Sequence, residues 1–302
     1  MAIAKKTTSA QEFVDDLLRS AGKTRIDSLI NENEMLNENA SGGNKNSFDV
    51  LIICALPEER DRAFDAFGVP EEDRKRMLQG FRSDYNFLYQ RFSYAGFNIA
   101  VVTQNSMGMA TATSVATRAI LAMNPKLVAM TGICAGRKNK VALGDIVVAD
   151  QVFDYTAGKK YIDRFAPRPL SFSADDAIRN YISAAILNND YISDSILQGW
   201  RGNRIPHRIS IHMKAIASGT AVVDDEQTMI SASSVQDNLY AIDMESYGVA
   251  LAATALRTKW IVLKAVQDFA DGHKECDEAG IRDFSAYASA ALLKNIIPSI
   301  VE

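Results

Sequence analysis

Apolar and polar positions follow two rhythms along this chain. From Phe48 onward, short apolar runs bounded by turn residues alternate with stretches whose apolar residues recur at helical spacing. FDVLIICAL (48–56) is apolar almost throughout, as a strand covered on both faces should be. NIAVVTQ (98–104), LVAMTGI (127–133), DIVVADQVF (145–153), HMKAIASG (212–219) and WIVLKAV (260–266) read as further strands. Pro57 suits a first helical position, and Glu58 and Glu59 fall in the first turn, where the helix dipole favours acids. Ser106, Gly108 and the Ala/Thr-rich stretch to Met123 predict a turn and then a closely packed helix. Another helix is expected from about Tyr240 to Leu256, and SAYASAALLKNIIPSIV (285–301) reads as an amphipathic C-terminal helix. Strand–helix alternation predicts an α/β fold around a mixed or parallel sheet.

Residues 1–47 follow neither rhythm. Residues 10–36 carry Phe13, Leu17, Leu18, Ile26, Leu29, Ile30 and Leu36 at spacings that predict one or two helices. NENASGGNKNS (37–47) then reads as a linker. The expected division is therefore a helical extension with its linker over 1–47 and one domain over 48–302. The extension is either a mobile or docking segment, or a helix that binds a protein partner or drives oligomerisation.

Composition narrows the function classes. The chain has 302 residues, 47% of them hydrophobic and 23% charged, with 33 Lys+Arg against 37 Asp+Glu and a formal charge of −4. That balance excludes a disordered chain and disfavours a broad nucleic-acid surface. No apolar run of ~18 residues predicts a membrane span, and the N-terminus lacks the apolar core of a signal peptide. Cys54, Cys134 and Cys276 lie far apart without metal-ligand spacing. They predict a reducing, cytoplasmic setting, no disulfide framework and no metal site. Cys54 and Cys134 sit in apolar surroundings and read as small buried residues, not nucleophiles. His207, His212 and His273 show no partner spacing.

Ligands of open α/β sheets bind beyond the carboxyl ends of the strands. Glu59, Gly108, the segment Gly132–Gly136 and Gln267–Asp271 follow such ends. Glu245 stands out in AIDMESYGVALAATAL, because burying an acid among Ala, Val and Leu is costly unless it is hydrogen-bonded. A carboxylate accepts two hydrogen bonds well, and adjacent sugar hydroxyls offer two donors. Each acid also has a plainer reading. Glu245 suits a solvent-facing edge or a core Lys or Arg partner, Asp268 a helix N-cap, and Glu59 a first-turn helix acid.

Seven segments in order carry a more specific signal: IICALPEER (52–60), NSMGMATA (105–112), MTGICAG (130–136), GDIVVAD (144–150), SGTAVV (218–223), IDMESYGVA (242–250) and LKAVQDFAD (263–271). From about Phe48 to the C-terminus the chain resembles the nucleoside phosphorylase and nucleosidase superfamily, with motifs nearest to those of methylthioadenosine/S-adenosylhomocysteine nucleosidases. The resemblance implies a three-layer α/β/α sandwich around a mixed, partly closed sheet. It implies cleavage of a purine N-glycosidic bond, with Asp268 as general acid toward the base. It places Glu245, preceded by Met244, on the ribose hydroxyls and Glu59 on the attacking water. Val222 and Val223 fall in the base-lining segment, where an aromatic residue is common, and Gln267 stands where Ser or Thr is usual. Gly108, Ile133 and Cys134 complete the substrate-binding set. No cofactor is implied, and a homo-oligomer, a dimer or hexamer, is expected.

The reaction suits these residues. The sugar becomes oxocarbenium-like as the bond breaks, so an acid on the leaving base and a carboxylate near the sugar both lower the barrier. Phosphorylases of the resembled family place an Arg three residues before a Ser or Thr in the segment aligned with MTGI, and this chain has Met130 and Ile133 there. Water is therefore favoured as nucleophile, with phosphate as the alternative if Arg60, Arg137 or Lys264 holds it. A non-catalytic nucleoside sensor is a third reading. The basic stretch AGKKYIDRFAPRPLSF (157–172) is either a solvated loop or a 5′-phosphate site using Lys159, Lys160, Arg164 or Arg168. The second option makes the substrate a nucleotide such as AMP or ATP and matches relatives in bacterial signalling and antiviral defence.

Overall fold

A computed structural model describes residues 48–77, 80–82, 87–203, 205, 207–272 and 280–301. The expectations for the N-terminal extension, His273 and Cys276 fall outside these residues. Strand β1 (Val50–Cys54) leads into α1 (Pro57–Phe67) and α2 (Glu71–Met77). Strands β2 (Gly80–Arg82), β3 (Phe87–Tyr94) and β4 (Phe97–Thr103) precede α3 (Met109–Met123), β5 (Leu127–Gly136) and β6 (Ile146–Asp154). The short strands β7 (Gly158–Lys160), β8 (Phe165–Pro167) and β9 (Ser171–Ser173) come next, followed by helices α4 (Asp176–Leu187) and α5 (Asn189–Gly199). The chain ends with β10 (Ile211–Ser218), α6 (Glu226–Val235), β11 (Leu239–Asp243), α7 (Ser246–Ala255), β12 (Lys259–Asp268) and α8 (Ile281–Ile300).

The main sheet runs β11-β10-β6-β12-β5-β1-β4-β3-β2, with β9 paired to β6. Pairing is parallel at β10–β11, β10–β6, β12–β5, β1–β5 and β1–β4, and antiparallel at β12–β6 and β3–β4. The end of β5 makes a second, antiparallel contact with β11 (Gly136 opposite Ala241, Ala135 opposite Ile242). Five strands thereby close into a ring, which is the mixed, partly closed sheet expected from the sequence. Alternation within the apolar runs explains the layers. Val50, Ile52 and Cys54 enter one core with α1, α4, α5 and α8, while Leu51 and Ile53 enter another with α3 and α7. Each fully buried Leu, Ile or Phe contributes ~1.5–3 kcal/mol to holding these layers together.

Three expectations need correction. The helix anticipated from Tyr240 to Leu256 is strand β11 followed by α7, and Glu245 is the N-cap of α7, outside its interior. The five residues of β11 abut an alanine-rich helix without Gly or Pro between them, so pattern alone merges the two. Strands β5 and β12 run on to Gly136 and Asp268, so their ends belong to the sheet and not to loops. The C-terminal helix is buried around most of its circumference, not along one stripe. Its hydroxyls accommodate that position: Ser285 Oγ donates to the Val266 carbonyl, and Ser289 Oγ accepts the Gly132 N–H.

Candidate active site

A cavity of about 280 Å³ opens where β1, β5, β11 and β12 end. Glu59, Ile133, Cys134, Val222, Val223, Met244, Glu245 and Gln267 line it, together with Met107, Ala221, Asp243 and Arg282. Most of the residues expected to bind substrate therefore share one enclosure. Gly108 contributes through its backbone, donating its N–H to Glu245 Oε1 at 2.8 Å.

Glu59 is held by the start of its own helix and by β5. Its Oε2 accepts the N–H groups of Ala55 (2.7 Å) and Leu56 (3.1 Å), and its Oε1 accepts that of Ile133 (3.0 Å). The first-turn role and the cavity-lining position thus coincide. Gly132, at φ +151°, makes room: a Cβ there would lie 2.1 Å from Glu59 Oε1.

Glu245 is 5% exposed. Burial pushes its carboxyl up to about 7 against the opposing pull of Lys264, with Asp243 adding to the rise. Lys264 is almost fully buried, with its ammonium 3.3 Å from Asp243 Oδ2 and 4.0 Å from Glu245 Oε2. Burial pulls this lysine down, but Glu59, Asp243 and Glu245 together outweigh it and raise its pKa. Asp243 is anchored by Ser218 Oγ (2.7 Å), by the Ser246 N–H and by the Ser246 hydroxyl. Among the described residues, the site thus gathers three carboxyl groups, Glu59, Asp243 and Glu245, around the buried Lys264 ammonium. Such a field favours positive charge developing on a bound sugar and opposes an incoming phosphate dianion.

Asp268 is placed differently. It is the last residue of β12, in register with Ala135 of the cavity wall, but it does not itself line the cavity. Its carboxylate accepts from Gln267 Nε2 and from the Ala270 N–H, both at 3.0 Å. The helix N-cap reading does not hold: the next described helix, α8, is capped by Gly280, and Asp268 instead takes the N–H two residues on. Glu59 and Glu245 share the enclosure, and Asp268 stands behind its Gln267 wall.

The proposed phosphate contacts are not in the wall. Lys159, Lys160, Arg164 and Arg168 are exposed on and beside the β7–β8 hairpin, and Lys159 and Arg164 each sit 4.8 Å from the Tyr161 ring centre. The hairpin is rooted at Tyr155, whose hydroxyl abuts Gly219 just before the wall residues Ala221–Val223. Met130 is buried in the core, while Ile133 lines the cavity. Arg60 pairs with Asp61, and Arg137 donates to the Asp237 and Leu239 carbonyls. Among the described lining residues, Arg282 alone is cationic.

Burial pushes the Cys54 thiol up to about 12 and the Cys134 thiol well above its ordinary value, consistent with small packing residues. His207 contacts the Leu143 carbonyl and His212 pairs with Asp145 at 3.0 Å. Among the described residues no group of three or more His, Cys, Asp or Glu is arranged to hold a metal ion, and no helix is long and apolar enough to cross a membrane. Sequence reasoning gave Lys264 only a phosphate role and missed Asp243 and Arg282. A lone lysine on the core-facing side of WIVLKAV was the available signal for a buried charge cluster.

Comparison with known proteins agrees with this architecture. Over 256 residues the chain is 33% identical to "uncharacterized protein y4jS" of Sinorhizobium fredii, covering 81% of this chain and 60% of that protein. It is 25% identical over 237 residues to the ATP nucleosidase Cap17 of Escherichia coli, covering 75% of this chain and 47% of Cap17. The chain thus spans about half to three-fifths of these relatives. The solved structure of Helicobacter pylori 5′-methylthioadenosine/S-adenosylhomocysteine nucleosidase superposes with a TM-score of 0.66 at 19% identity, covering 85% of this chain and all of that one. A family model for the phosphorylase superfamily matches residues 49–300. On that match, and on the ring-closed sheet beneath it, the chain belongs to the phosphorylase superfamily.

Proposed function

We propose that the protein hydrolyses the bond between a purine base and ribose, using water and no phosphate. The observation that carries this reading is the anionic cavity in which Glu59 and Glu245 face one enclosure around buried Lys264. Glu245 accepts hydrogen bonds from the ribose hydroxyls while the Gly108 N–H holds its other oxygen. Glu59, fixed by three N–H donors, orients the attacking water. Asp268 in its protonated form supplies the proton to the departing base after its hydrogen bond from Gln267 yields to substrate, and the proton lost by the attacking water passes to Glu59. Such acid assistance contributes a factor of ~10²–10⁴ in rate.

The substrate we favour is a nucleotide, AMP or ATP, with the basic hairpin beside the Ala221–Val223 wall meeting its 5′ phosphates. The similarity to an ATP nucleosidase supports that choice, and nucleotide depletion in antiviral defence is the role proposed with it. The test is chromatographic detection of free base from adenosine, methylthioadenosine, AMP and ATP, each with and without phosphate. Base release from the nucleotides at an equal rate without phosphate is expected. A strict phosphate requirement would establish phosphorolysis instead, and release only from uncharged nucleosides would remove the nucleotide assignment. Asp268→Asn should lower turnover ~10²–10⁴-fold while sparing binding. An unchanged rate would refute the acid role and leave Asp268 as a turn cap.

A further inference from the structure

A second recess, of about 730 Å³, lies away from the cavity just described. It is bounded by the end of α1 (Asp65, Gly68), the end of α5 with Trp200 and Arg201, and the face of α8 carrying Asp283, Tyr287 and Lys294. We propose that this recess binds a phosphorylated small molecule of nucleotide size and that its occupation adjusts the Glu59 cavity. The binding claim is independent of the reaction, and the regulatory claim rests on the N-glycosidase reading.

Charge carries the first part. Among the described residues, four cations line the recess (Arg62, Arg74, Arg201 and Lys294) against two carboxylates, Asp65 and Asp283. Both carboxylates are already committed. Asp65 takes Arg62 at 2.5 Å and Arg74 at 2.7 Å, and Asp283 takes Arg62 Nε at 3.3 Å. Among the described residues, neither Arg201 nor Lys294 pairs with a carboxylate; Lys294 Nζ lies 5.5 Å from the Tyr94 ring centre, a contact that leaves its charge unneutralised for a ligand. Guanidinium and ammonium groups around a recess of this size match a phosphate ester.

A tyrosine hydroxyl faces the same recess. Tyr287 lines it, and its hydroxyl has no hydrogen-bond partner among the described residues. The hydroxyl fits only because residue 199 is glycine, where a Cβ would lie 2.3 Å from it. Open to the recess, the hydroxyl can donate to a phosphate oxygen. Trp200, in contact with Tyr287 at 5.1 Å between ring centres, gives the site its own optical reporter.

Two helices link the sites. The first turn of α1 carries Glu59, and its last turn carries Asp65 and the approach to Gly68. On α8, Arg282 lines the first cavity and the next residue, Asp283, lines the second. Ser289 of the same helix holds the Gly132 N–H beside Glu59's partner Ile133. A ligand that drew Asp283 or Asp65 out of its ion pairs would act on both helices and so on the Glu59 carboxylate.

The experiment titrates the full chain with inorganic tripolyphosphate, which lacks a base and a ribose, while following tryptophan fluorescence and, separately, the rate of base release. A saturable change that is absent in Trp200→Phe and at least ten-fold weaker in Arg201→Glu and in Lys294→Gln is expected. So is a several-fold change in the base-release rate that Arg201→Glu abolishes. No saturable signal, or equal affinity in both charge variants, overturns the site. Binding that leaves the rate unchanged overturns the regulation. A protein that binds tripolyphosphate but releases base from no substrate refutes the catalytic reading and leaves the binding site standing.

Discussion

Glu245 sets the behaviour expected at the residue scale. Its carboxyl is raised from about 4.5 to about 7 by burial, so it holds its proton in the folded chain through a range where an unfolded chain has lost it. The extra proton belongs to the folded state, so this residue's contribution to stability is full below about pH 4.5 and is lost as pH rises to about 7. Activity should run the opposite way, because the ionised form is the better acceptor for two hydroxyls. We expect kcat/KM to climb through about pH 7 in the native chain and to lose that limb in Glu245→Gln. The same variant should show a flatter melting temperature between about pH 4.5 and pH 7. A rising limb that survives the substitution would assign the titration to another group.

The acids themselves were legible because carboxylates stand out against apolar runs. Their true contacts were not. Glu59 owes its position to Ile133, 74 residues away, and to the missing Cβ of Gly132. Lys264 and Asp243 meet only because β11 and β12 both end at the cavity, so no local spacing announces the pair. From the sequence Asp268 reads as a helix N-cap or a general acid, and its bonds to Gln267 and Ala270 are local turn contacts twelve residues ahead of the next described helix cap.

At the scale of elements, α8 acts as a clamp on two strand ends. Ser289 accepts the Gly132 N–H at 3.0 Å, and Ser285 donates to the Val266 carbonyl at 2.9 Å. Replacing Ser289 with Ala leaves a buried backbone donor unpaired, which costs ~1–3 kcal/mol. A lower denaturant midpoint of that size is expected, together with a slower base-release rate, since Gly132 packs directly on Glu59. A loss of stability with catalysis intact would separate the clamp from the site. The long strands and α3 were legible from their apolar patterns, as was the α/β class. Strand β11 was not, because five residues in a tertiary slot look like the leading turn of the helix behind them. The short strands β7, β8 and β9 carry only three residues each, too few for a period to register.

Across the whole molecule, protection against hydrogen exchange should be uneven. Strands β1, β5 and β12 lie between neighbours and within buried layers, while the β7–β8 hairpin is a separate, largely exposed two-stranded ribbon. Local openings expose such a ribbon at far lower cost than global unfolding. Exchange followed by mass spectrometry should label peptides over 158–167 well before those over 259–268. Equal rates would mean that the hairpin is braced by contacts beyond its own ladder.

The double allegiance of β5 has a kinetic consequence. Its first half is zipped between β1 and β12, but its last residues meet β11 at Gly136 and Ala241, 105 positions apart along the chain. Contacts that span so many residues demand a large loss of chain freedom before they return any attraction. Until that seam shuts, Asp243 and Glu245 have no fixed place opposite Glu59. Before that closure the carboxyl groups of the cavity are not yet gathered, so the proposed base release is expected to appear only after the slowest, most long-range step of sheet assembly.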